Sequence, residues 1–102
     1  REKKERGALA YALRLLGATA ARRDPPSWDA ALAAYREATA LAEELRMRPL
    51  LAHCHLGLAR LEHRAGRTAE ARPHLAAALD AFRDLDMPFW LDRSQAEFGS
   101  LA

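Results

Sequence analysis

Residues 49–85, PLLAHCHLGLARLEHRAGRTAEARPHLAAALDAFRDL, fall on an earlier stretch of the chain when moved back by forty positions. Ala52, Leu56, Gly57, Ala71, Ala78, Leu85 and Met87 then land on Ala12, Leu16, Gly17, Ala31, Ala38, Leu45 and Met47. A unit of this length is too small to bury its own apolar faces and has to stack on its neighbours. Few architectures satisfy that demand.

The unit must be helical. Val and Ile are absent and Thr occurs only at 19, 39 and 68, so the β-branched residues that strands favour are nearly missing. Ala, Leu, Arg and Glu dominate and favour helix. The apolar spacing then divides the chain into five helices. The first runs from the charged REKKER start into GALAYALRLLGATAARR, where Leu9, Leu13, Leu16 and Ala20 lie beside Ala8, Ala12, Leu15 and Thr19. Two adjacent stripes predict a wide buried face. Asp24-Pro25-Pro26-Ser27 stops this helix, and Ser27 is placed to cap the next, which is expected to continue to about Arg46. Met47-Arg48-Pro49 is expected to form a linker with Pro49 at the first position of a third helix, and Gly66 supplies the left-handed conformation that ends it. Thr68 is expected to cap a fourth helix and Pro73 to bend it slightly. FWLDRSQAEFGSLA opens a fifth. One domain thus spans residues 1–102, with helix pairs over about 3–46 and 49–85 and a capping helix over about 88–100. Its start in mid-pattern reads as a fragment of a larger protein.

Sixteen basic against 14 acidic residues leave a net charge of +2, too balanced for nonspecific nucleic-acid binding. No apolar run approaches a bilayer span, so no membrane is expected. Cys54 stands alone, which excludes an internal disulfide and suits a reducing compartment, hence a cytoplasmic setting. The heavy use of Arg and Ala reads as a GC-rich bacterial gene.

The second copy resembles a tetratricopeptide repeat. Leu58-Ala59 on its first helix, Gly66 at the turn, and Ala71, Leu75 and Ala78 on its second helix match that family's core pattern in order and spacing. The first copy offers Ala18-Thr19, Ala31, Tyr35 and Ala38. The family's early aromatic is replaced by Leu15 and His55, its later tyrosine by Arg22 and Glu62, and its closing proline by Glu43 and Arg83. The forty-residue period exceeds the family's usual 34. That longer form is similar to C-terminal arrays of bacterial cyclase-linked or regulator-linked AAA-type ATPases. The resemblance implies an all-α solenoid of antiparallel helix pairs, two repeats plus a capping fifth helix, that serves as a protein-interaction scaffold.

Enzyme chemistry finds little support. His53-Cys54-His55 invites a zinc reading, but residues two apart on a helix point to nearly opposite sides and no second cysteine exists. Adjacent Cys54 and His55 cannot face each other as a catalytic pair. The Glu43-Glu44 and Asp84/Asp86 carboxylates sit at helix ends with no pocket to raise their pKa values. Phe89 and Trp90 are expected to pack the fifth helix against the core. No catalytic residue, cofactor or metal is assigned.

The resemblance also implies a concave surface lined by the first helix of each pair. By the forty-residue register this places His53, Leu56, Arg60, His63 and Arg64 in the groove. Leu13, Leu16, Ala20, Arg23 and Asp24 join them from the first copy, and Arg93, Ala96 and Ser100 from the third. The contacts expected to hold a partner are Arg23, His53, Arg60, His63, Arg64 and Arg93. Arginine pairs with carboxylates in two-point fashion, so the expected guest is an acidic peptide or a protein segment. A solvated arginine face with no guest is the alternative. The expected setting is a bacterial signalling or transcription-regulatory protein. Apolar end faces, Leu9, Tyr11 and Leu13 on one side and Phe98 and Leu101 on the other, make self-association as a homodimer the competing reading.

Overall fold

The computed structural model describes residues 2–23 and 27–99. Five helices follow in order: α1 (Glu2–Arg22), α2 (Trp28–Glu44), α3 (Arg48–Arg64), α4 (Thr68–Asp84) and α5 (Pro88–Glu97). No strand occurs among the described residues. The helices pack as neighbours in chain order, α1 most closely on α2 and α3 on α4, with α2 and α3 joining the hairpins. The result is an open all-α array measuring 43 × 35 × 19 Å, about two helices thick.

Three of the helix ends share one device. After α2, α3 and α4 the chain turns through a left-handed residue: Arg46 (φ 58°), Gly66 (φ 82°) and Asp86 (φ 56°). In each, that residue and the next donate their amides back into the last helical turn, as in Met47 N–H to Ala42 O at 2.9 Å and Arg67 N–H to Glu62 O at 2.8 Å. Gly66 does this without strain because it has no Cβ, whereas Arg46 and Asp86 adopt the same backbone against their preference. The expectation at Gly66 holds, and its two counterparts carry no glycine signal.

Other helix starts differ from the expected ones. Arg67, not Thr68, occupies the N-cap of α4, and Thr68 is already helical. The N-cap is the residue after the left-handed one here as at Met47 and Met87, and the Arg67 guanidinium is held by the buried Glu62 carboxylate at 2.6 and 2.8 Å. Ser27 is at the N-cap of α2, but its hydroxyl makes no cap hydrogen bond.

The core consists of three clusters between the helices. Ala10, Ala38, Ala42, Leu50 and Cys54 form one. Ala20, Ala21, Ala31, Tyr35, Leu58 and Leu61 form the second, and Ala52, Leu56, Ala59, Leu75, Ala78, Phe82 and Phe98 the third. Tyr35 is the wedge between hairpins. A Cβ on Gly17 would lie 2.8 Å from its ring and one on Gly57 2.3 Å, so both glycines are places where only a bare backbone admits the aromatic.

The wide buried face expected of α1 is not formed. Leu9, Tyr11, Leu15 and Leu16 are exposed, and burial falls instead on Ala10, Gly17, Ala20 and Ala21. Phe98, expected at an exposed end, is buried against the third cluster. Leu101 lies outside the described residues.

Candidate functional site

One groove of about 690 Å³ crosses the face made by α1, α3 and α5, and Tyr35 of α2 reaches its floor. His53, Arg60, His63, Arg64 and Arg93, five of the six expected contacts, line it together with Leu56. Arg23 does not. It follows the last residue of α1, and the groove instead takes Arg14, Ala18, Ala21 and Arg22 from that helix.

The cause is a register shift. Five residues, 23–27, separate α1 from α2, against three between α3 and α4. The longer linker moves α1 by two positions, so Arg22 rather than Asp24 stands where Arg64 ends α3, and Ala21 rather than Arg23 where His63 lies. The same shift aligns Arg14, Ala18 and Ala21 with Leu56, Arg60 and His63, all groove residues. Leu13, Leu16 and Ala20 are displaced from the groove accordingly. Gly17 and Gly57, matched at forty, are not equivalent: they flank Tyr35 from two different helices. On α5, Ala96 gives way to Glu97 and Phe98. Asp24 and Ser100 lie outside the described residues.

Among the described residues, five arginines and one carboxylate make up the charged lining. Arg60 is bound to that carboxylate: its Nε and Nη2 donate to Glu97 at 2.8–3.1 Å. Among the described residues Arg14, Arg22, Arg64 and Arg93 have no acidic partner. The Arg14 Nε is buried with no acceptor, so a donor in the wall is left unmet. Arg93 lies 5.9 Å from the centres of the Phe89 and Trp90 rings. Trp90 is half-buried and meets His53 edge-on at 4.6 Å, but Phe89 is 63% exposed, contrary to the expected core packing. Phe89 sits in the first turn of α5 and meets Trp90 edge-on at 5.3 Å.

Burial first, then the charges of Arg14 and Arg60, push the His53 pKa down. His53 is therefore neutral at pH 7, and the basic character belongs to the arginines. Burial likewise raises the Tyr35 phenol, which stays protonated. Away from the groove, His55 and His74 bring their Nδ1 atoms to 3.3 Å across α3 and α4. Burial lowers both pKa values, so one neutral ring donates to the other. No group of three or more His, Cys, Asp or Glu side chains is placed to hold a metal among the described residues. Cys54 is buried, with burial raising its thiol pKa.

What the groove offers chemically is a shallow aromatic floor with guanidinium groups around it. Such a surface binds anions by charge-assisted hydrogen bonds. Comparison with protein-family profiles, curated proteins and solved structures returned no match. No described helix is long and apolar enough to cross a membrane.

Glu97, Arg14 and Arg22 are the residues that sequence reasoning missed. Glu97 was within reach, because it follows Arg93 by four residues and so shares its helix face. The two α1 arginines were legible in principle from the longer Asp24-Pro25-Pro26-Ser27 linker.

Proposed function

We propose that this chain is a non-catalytic, tetratricopeptide-like interaction module of a bacterial signalling or transcription-regulatory protein, and that its groove holds an acidic peptide segment. The observation that carries the reading is the groove's charge: among the described residues, five arginines converge on it from three helices against the single Glu97 carboxylate. Guanidinium groups on a rigid helical face are suited to carboxylates, which they grip at two points. The unmet Arg14 Nε adds a place for a guest acceptor.

Converting Arg22 and Arg64 together to Glu tests this. Both lie in the last turns of their helices and are exposed, so the helical circular dichroism should not change. Binding of a fluorescein-labelled octaglutamate peptide at low salt should fall by at least tenfold. Unchanged binding would discard the groove.

A second reading is favoured by one observation. Leu9 and Leu16 form one exposed apolar stripe along α1 and Tyr11 and Leu15 form another on a different side, each residue about half exposed, and a second copy would dock on either stripe. Sedimentation at high concentration should then show a dimer that Leu16→Glu or Leu15→Glu dissociates; a monomer throughout removes this reading.

A further inference from the structure

The groove contains a carboxylate of its own. Glu97 closes α5 and accepts from Arg60 through both of its oxygens, Nε at 2.8 and 3.1 Å and Nη2 at 2.8 Å. This is the forked geometry by which arginine holds an acidic guest. We propose that Glu97 is a built-in occupant of the groove's carboxylate site, which an acidic segment must displace from Arg60 in order to bind. The inference rests on the acidic-peptide reading of the groove and specifies how that guest is admitted.

Three features support displacement over a permanent structural pair. The Arg60 and Glu97 side chains are 37% and 36% exposed, and an ion pair this wet shifts an equilibrium by only about fivefold or less. A guest that also engages Arg14, Arg22, Arg64 or Arg93 can outcompete it. The second feature is the seat of α5. This helix has 10 residues and a single buried one, Ser94, whose hydroxyl has no partner, and Phe98 just beyond it adds the only other fully buried contact. Both buried residues flank Glu97, so displacement needs only the exposed Glu97 side chain to swing aside while the turn stays seated. Finally, Glu97 is the only carboxylate lining the groove among the described residues, so its removal leaves the five described arginines open to a guest. The exchange is noncovalent: one carboxylate replaces another on the same guanidinium, and no proton moves.

The test is fluorescence anisotropy with fluorescein-labelled octaglutamate at low salt, on the full chain and four variants. Glu97→Gln should tighten binding about two- to fivefold, the range open to an ion pair exposed to this degree. Asp92→Asn removes an exposed α5 carboxylate that does not line the groove and should leave affinity unchanged. Arg60→Gln and the double variant Arg60→Gln/Glu97→Gln should bind equally, because the gain works only through Arg60. Equal affinity of wild type and Glu97→Gln overturns the inference while leaving the acidic-peptide reading in place. So does a gain that survives in the Arg60→Gln background. If no form binds, Glu97→Gln included, the groove reading fails and the inference with it.

Discussion

Helices α1 and α3 occupy the same station in successive hairpins, yet they are surrounded differently. α3 is gripped from both sides: Leu50, Cys54, Leu58 and Leu61 pack with α2, while Ala52, Leu56 and Ala59 pack with α4 and the start of the α5 seat. α1 packs on one side only. With the two-residue shift, its Ala8, Ala12, Leu16 and Thr19 correspond to the α3 residues Leu50, Cys54, Leu58 and Leu61, and all four are exposed. The two sequences look alike in apolar content. What separates them is whether a helix lies across the second face, and burial follows from that neighbour and not from the stripe itself.

The contrast can be broken most sharply at a pair that the forty-residue match treats as equals. Leu56 is 1% exposed and Leu16 is 56% exposed. Leu56→Ala should cost about 2–5 kcal/mol in urea unfolding, and Leu16→Ala less than about 0.5 kcal/mol. Similar losses at the two sites would mean that α1 is covered in solution.

Smaller, but more specific, is the wedge. Gly57→Ala brings a Cβ to 2.3 Å from the Tyr35 ring and should destabilise by about 1–3 kcal/mol, more than the roughly 1 kcal/mol that alanine contributes to a helix. Tyr35→Leu, which installs the residue found at the equivalent position 75, should recover most of that loss. Leu15 holds the corresponding station on α1 and is exposed, so Leu15→Ala should be nearly silent.

Acid should act on α3 and α4 and spare α1, which has no histidine. His53, His55 and His74 all have folded pKa values below the ordinary 6.5, chiefly through burial. The unfolded chain therefore takes up protons first. Stability should be flat above that value, fall as pH drops through 6.5, and level off below the folded pKa values. Thermal midpoints across pH 8 to 5 check the sign, and His74→Gln should blunt the fall. A rise in stability on acidification would contradict the buried neutral pair.

The smallest effect concerns the link between the hairpins. Arg46→Gly relieves a left-handed residue and should stabilise by about 0.5–1 kcal/mol in thermal unfolding. Asp86→Gly should give less, since aspartate tolerates that backbone better. A loss at Arg46 would show that its side chain contributes more than its strained backbone costs.

Much of the groove could be read from residues alone because α3 and α4 are joined by three residues, the same count that links α2 to α3. A constant linker makes the spacing of sequence and space agree, and His53, Arg60, His63, Arg64 and Arg93 fell where expected. Arg23 failed because the five-residue linker after α1 broke that agreement. Glu97 shares the helix face of Arg93 and was within reach, but its pairing with Arg60, 37 positions away, has no local signal.

Five helices, their approximate ends and their hairpin order follow from the chain itself, since apolar spacing, helix-favouring composition and stop residues act over a few neighbouring positions. Tertiary packing decided the rest. It set α1 two positions out of register, slid Tyr35 between glycines from two helices, left the apolar stripes of α1 in water and closed Arg60 onto Glu97. Those outcomes depend on distances between helices, which no local preference encodes.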